Sequence, residues 1–151
     1  MAFATEAVAA PTAAAMRGWV AQAVNASGRA PAGCAEVSVR VVDEAESRSL
    51  NARYRGQDRA TNVLSFPSGA IAGLTAGQPA PLGDIAVCAA VVAREAREQG
   101  KAEPDHWAHM LVHGTLHLLG FDHEDSAEAA EMEALETQVL AGMGISDPYA
   151  S

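Results

Sequence analysis

The stretch HGTLHLLGFDH, residues 113–123, restricts what this chain can fold into and do more than any other part of it. His113 and His117 stand four apart, so on a helix they share a face, one turn from each other. Gly120 follows three positions later, where a helix can reverse into the left-handed conformation. His123 lies three residues beyond that turn, which brings a third imidazole back toward the first two. Three imidazoles with an open fourth position form the arrangement of a catalytic zinc site, and imidazole suits zinc. The competing reading is a set of scattered surface histidines. The rest of the helix opposes it, because Trp107, Leu111, Val112, Leu116, Leu118 and Leu119 cover the other faces and mark the helix as buried. Histidines on a buried helix need a shared partner, and one zinc ion per chain supplies it. His106 and His109 fall on the same stripe, and His109 with His113 is also an i, i+4 pair. We give these two supporting or capping roles, because only the later trio encloses the turn glycine.

The charge of the chain is divided in a way that bears on this site. Residues 1–101 hold all ten Lys and Arg against nine acids, and residues 102–151 hold ten acids with no Lys or Arg. The net charge of −9 excludes a wholly basic nucleic-acid binder. It leaves room for a basic patch in the first two thirds and a cation site in the last third, where all five histidines lie. A length of 151 residues suits one domain spanning 1–151, large enough to close a core without disulfides. The hydrophobic fraction is 49%, but 34 of these residues are alanine, so bulky core side chains are scarce. No apolar run reaches the length of a membrane span, which excludes an integral membrane protein. The opening MAFATEAVAA has no basic n-region and carries Glu6, which speaks against a signal peptide. Cys34 and Cys88 do not make a disulfide framework and read as reduced cytoplasmic thiols.

Periodicity places elements around the histidine block. Residues 11–26 predict an amphipathic helix opened by Pro11, with Met16, Trp19, Val20 and Val24 at helical spacing. AEVSVRVVD at 35–43 predicts a strand. Asp43 then caps a helix running to about Tyr54, with Glu46 completing a capping box and Gly56 as its stop. TNVLSF is a short strand ended by Pro67, and LGDIAVC at 82–88 is another. The Gly-, Ala- and Pro-rich segment 68–81 between them reads as a hairpin loop. Helices follow at 89–100, at 104–119 and from about Glu124 to Gly144, the last with Met132, Leu135, Val139 and Met143 as its apolar stripe. Two consecutive helices end the pattern. The expected class is α+β, a small mixed β-sheet packed with about five helices, the zinc site on a buried helix and the turn after it.

The spacing of the block also resembles the metzincin signature H-E-x-x-H-x-x-G-x-x-H. Gly114 replaces the glutamate that serves there as general base, so ordinary peptidase chemistry lacks its base. A helical glycine costs about 1 kcal/mol relative to alanine, which points to a close approach by another backbone or a substrate.

Four segments together resemble the YbeY family of bacterial metal-dependent endoribonucleases. They are NARYRGQDRATNVLSFP at 51–67, LGDI at 82–85, HGTLHLLGFDH at 113–123, and the acidic AEMEALE segment followed by DPY at 147–149. The resemblance implies an α+β fold with zinc on His113, His117 and His123. It further implies cleavage of single-stranded RNA, maturation of ribosomal RNA at the small-subunit 3′ end, and ribosome quality control. Arg55, in the YRG segment, matches the arginine associated with activity, and Phe121 stands where tyrosine is common.

The residues themselves fit beside that resemblance. A planar guanidinium at Arg55 suits bidentate phosphate binding, whereas Arg48 and Arg53 read as a solvated helix face. Zinc lowers the pKa of a bound water to about 7, and Arg55 would offset charge on the phosphate oxygens. Asp84, Asp122 and Glu124 are candidates for the general base. With seven aromatics, stacking platforms are few, which favours broad sequence tolerance. Two alternatives compete: a zinc metallopeptidase-like hydrolase, and a non-catalytic ribosome-assembly factor with structural zinc. A closed four-ligand site would favour the latter, and three ligands plus water an enzyme.

Overall fold

The computed structural model describes residues 2–3, 10–28, 35–67, 80–121 and 126–148. Among these described residues, five helices surround a four-stranded mixed sheet of order β1-β2-β4-β3. In chain order the elements are β1 Ala2–Phe3, α1 Ala13–Ser27, β2 Ala35–Val42, α2 Glu44–Arg55, β3 Val63–Pro67, β4 Ala80–Cys88, α3 Ala89–Gln99, α4 Glu103–Leu118 and α5 Ser126–Gly142. β1 and β4 run parallel to β2, and β3 runs antiparallel to β4. The α+β class with a small mixed sheet and five helices is the one expected from the sequence.

Alternation along β4 divides the core. Ile85 and Val87 join Val39 and Val41 beneath Trp107, Met110, Leu111 and Leu118 of α4. Ala86 and Cys88 face the other way, with Val42, Leu64 and Val91 and the partly buried Leu50 and Phe66. Thus α4 covers one sheet face and α2 lies on the other, while α3 follows β4 directly and touches both clusters, Ala89 and Val92 packing with α4 and Val91 on the α2 side. A further cluster joins α1, α4 and α5 through Ala23, Val112, Leu116, Phe121, Met132 and Leu140.

Local signals fix most boundaries. Thr12 Oγ1 accepts the Ala15 N–H at 3.1 Å at the start of α1. Asp43 Oδ1 accepts the Glu46 N–H at 2.8 Å at the start of α2. Gly56 ends α2 in the left-handed conformation, φ 69°. Other boundaries differ from the sequence reading: α1 starts at Ala13 with Thr12 as its cap rather than at Pro11, α5 ends at Gly142 rather than Gly144, and β4 begins at Ala80 rather than Leu82. β1 is not expected from the sequence, because it has no periodicity to betray it, being two residues long and formed only by pairing with β2. Residues 68–79 of the loop expected over 68–81 lie outside the described residues, as does Cys34. Cys88 is a buried free thiol whose pKa burial pushes up.

Candidate functional site

The histidine helix is buried, as its composition requires. Trp107, Leu111, Val112 and Leu116 are at most 1% exposed. His113 and His117 are half-buried neighbours with ring centroids 5.4 Å apart. Both line a cleft of about 520 Å³ whose opposite wall is β3, with Asn62 and Ser65, and whose end is closed by Tyr54 and Arg55. Gly120 adopts φ 95°, the left-handed turn expected after the helix. Asp122, His123 and Glu124 lie outside the described residues. Among the described residues, no group of three or more His, Cys, Asp or Glu is arranged to hold a metal ion.

Arg55 reaches this cleft because the end of α2 is tied to the chain leading into β3. Buried Ser47 donates its hydroxyl to the Thr61 carbonyl at 2.8 Å and accepts the Thr61 N–H at 2.9 Å. Buried Asn51 donates to the Arg59 carbonyl at 3.0 Å. These bonds fix the turn after Gly56, so Arg55, distant in sequence, faces His113 and His117 across the cleft. Arg48 is committed elsewhere: it pairs with Asp58 at 2.7 Å on the open surface, and Arg53 lies 5.9 Å from the centroid of the Tyr54 ring.

Sequence reasoning missed Glu136. This α5 carboxylate is 0% exposed and lies between two histidines of α4. His113 Nδ1–H donates to Oε1 at 2.6 Å, and His109 Nε2–H donates to Oε2 at 2.9 Å. The signal was present in AEMEALE: Glu136 falls four after Met132 and three before Val139, an acid on the buried stripe of α5. His106 Nε2–H donates to Glu95 on α3 at 2.9 Å. Neither His106 nor His109 is among the cleft-lining residues.

The arrangement fits a cation at His113 and His117. Engagement of His113 Nδ1 by a carboxylate leaves coordination to Nε2, the geometry in which a histidine ligand is held in one tautomer and made more basic. A carboxylate with no solvent exposure also calls for nearby positive charge, which a metal behind His113 would provide. Gly114, between the two histidines, packs against the sheet. A Cβ there would stand 3.1 Å from Ser65 Oγ and 3.2 Å from Ile85, and Ser65 Oγ donates to the Gly114 carbonyl at 3.1 Å. The close approach expected of this glycine is therefore made by β3 and β4, and any larger residue in its place would require Ser65 and Ile85 to give way by a few tenths of an ångström. Asp84 lines a separate hollow on the far side of Tyr54 and Phe66, not the histidine cleft, so it is not placed as the general base.

Comparison with known proteins gives a consistent result. The family model described as endoribonuclease YbeY matches residues 3–144. A protein named endoribonuclease YbeY from Alkalilimnicola ehrlichii is 59% identical over 140 residues, covering 92% of this chain and 82% of its own length. Its namesake from Halorhodospira halophila is 57% identical over 140 residues, covering 93% and 88%. The solution structure of a Thermotoga maritima protein superposes with a TM-score of 0.57 at 23% identity, covering 99% of this chain and 98% of that one, which shows a shared fold.

Proposed function

This chain belongs to the endoribonuclease YbeY family, and on that premise we propose that it is a zinc-dependent endoribonuclease specific for single-stranded RNA. In this reading the substrate is ribosomal RNA of the small subunit, cut during 3′-end maturation and ribosome quality control in the cytoplasm, and residues 1–151 act as one domain. The observation that carries it is the meeting of Arg55, His113 and His117 in one cleft, from helices far apart in sequence.

His113, His117 and His123 would hold one zinc ion, which supplies Lewis acidity and a lowered pKa for water at neutral pH. The other steps belong to the protein's own side chains. Arg55 binds the scissile phosphate and offsets the charge that grows on its non-bridging oxygens. A planar guanidinium can do so through two parallel hydrogen bonds. Glu136 fixes the ring of His113 and thereby the direction of its Nε2. The cleft is open and half-buried along its histidine wall, which suits an unpaired strand better than a duplex. No helix among the described residues is long and apolar enough to cross a membrane.

The test is incubation of metal-loaded and chelated protein with unstructured RNA, duplex RNA and an unfolded protein such as casein. Cleavage of the unstructured RNA alone, and only with metal, is the expected outcome. Degradation of casein with the RNA left whole would sink the proposal in favour of a peptidase. Intact substrates throughout would favour the assembly factor with structural zinc.

A further inference from the structure

Tyr54 is the one large hydrophobic side chain left exposed among the described residues, at 60%. It stands one residue before Arg55 at the end of α2, and its ring meets Phe66 of β3 edge-on, centroids 5.0 Å apart at 65°. This aromatic pair forms a ridge. On one side is the cleft with Arg55, His113 and His117. On the other is a hollow of about 350 Å³ lined by Leu50, Ile85, Arg40 and Asp84 as well as the two rings. Asp84 is exposed and has no ion pair or side-chain hydrogen bond among the described residues, whereas Arg40 is paired with Glu46. β4 places Asp84 beside Phe66, its antiparallel partner across the sheet.

Building on the RNA-cleavage reading above, we propose that this hollow is a nucleobase subsite. Tyr54 stacks against the base of a nucleotide adjoining the scissile phosphate, and Asp84 accepts a hydrogen bond from an amino group of that base. The reasons are physical. An exposed tyrosine costs hydration free energy unless something covers it, and every base presents a π-face that can. Phe66 holds the Tyr54 ring edge-on, so a base meets a platform that is already ordered. A carboxylate accepts hydrogen bonds only, so it discriminates in one direction. Cytosine, with its N4 amino group, satisfies it; uracil puts a carbonyl oxygen there and is repelled. A duplex cannot use the subsite, because its bases are already stacked and paired. The seven aromatics that argued for broad sequence tolerance therefore include one pair placed to narrow it.

The test is binding of labelled single-stranded hexamers of cytidylate and uridylate to the full-length chain under chelation, with cleavage by metal-loaded protein measured in parallel. We expect the cytidylate strand to bind several-fold more tightly than the uridylate. Asp84→Ala should bring the two together. Tyr54→Leu, which keeps packing against Phe66, should weaken both by about five-fold or more, the low end of what stacking one base contributes. Tyr54→Phe should stay close to wild type. In cleavage, Tyr54→Leu should raise KM and leave kcat largely in place. A cytidylate strand bearing abasic positions gives the same reading with the protein unaltered, and it too should bind more weakly to wild type. Equal affinity of wild type for the two strands overturns the role of Asp84. Unchanged binding in Tyr54→Leu, or of the abasic strand, overturns the stacking. Absence of RNA cleavage with the binding pattern intact would instead refute the catalytic reading and leave the subsite standing.

Discussion

Arg55 and the cleft histidines arrive from separate elements, so single replacements can separate the proposed phosphate contact from the proposed metal site. Arg55 is exposed in the last turn of α2. Arg55→Ala should leave the melting temperature and zinc content unchanged and lower RNA cleavage by about a hundredfold or more, the usual cost of removing one donor to a developing charge. Arg55→Lys should recover only part, since a point charge replaces a planar fork. Wild-type cleavage in Arg55→Ala would remove it from the mechanism. Metal analysis addresses the other set. His113→Ala, His117→Ala and His123→Ala should each lose zinc. Glu136→Gln keeps the shape of the side chain but retains one acceptor oxygen for two imidazole N–H donors. It should weaken zinc affinity about 10- to 100-fold while the protein remains folded. Full zinc in His117→Ala together with loss in His109→Ala would mean a different ligand set.

At the scale of elements, the cleft depends on how α3, α4 and the lead into β3 are joined behind it. Glu95 of α3 accepts from His106 of α4 and from Asn62 Nδ2, each at 2.9 Å. The His106 hydrogen bond, seconded by Asn62, holds the Glu95 carboxyl below its ordinary value of 4.5 against the opposing effect of burial. A depressed native pKa means that the unfolded chain binds the proton first as pH falls. The stabilisation is therefore complete above the ordinary carboxylate value and is lost as pH drops through the lowered native one. Thermal melts of wild type and Glu95→Gln should differ at about pH 7 and converge near pH 3. A gap of the same size at both pH values would show that the carboxylate charge is not what joins these elements.

For the whole molecule, the division of charge matters more than its sum. Arg55 of the cleft and all other Lys and Arg come from residues 1–101, and the surplus of acids lies in residues 102–151. A net charge of −9 is then compatible with RNA, provided the strand meets the α2 and β3 side. Phosphate contacts release counterions, so the logarithm of affinity for unstructured RNA should fall linearly with the logarithm of salt concentration. Arg55 is the one arginine or lysine lining the cleft among the described residues, so the slope should be shallow, on the order of one or two phosphates. Titration of binding against added salt measures it. Affinity independent of salt would place the strand away from Arg55.

What could be read from the chain alone was what depends on neighbours in sequence. The i, i+4 histidines, the turn at Gly120, the Asp43 cap, the Gly56 stop and the α+β order all follow from local periodicity and backbone preference, and the structure has them where they were expected. Contacts between distant segments could not be read in this way. β1 exists only because β2 lies beside it. Gly114 is small because Ser65 and Ile85 press on it. Asp84 proved to face a different hollow from the histidines, because alternation along β4 and the ridge of Tyr54 and Phe66 separate the two. Glu136 looks like one acid among many in an acidic helix, and only the packing of α5 on α4 puts its carboxylate between His109 and His113. The physical reason is the same each time: a hydrogen bond or van der Waals contact acts over a few ångströms of space, and only the closed fold decides which residues come that near.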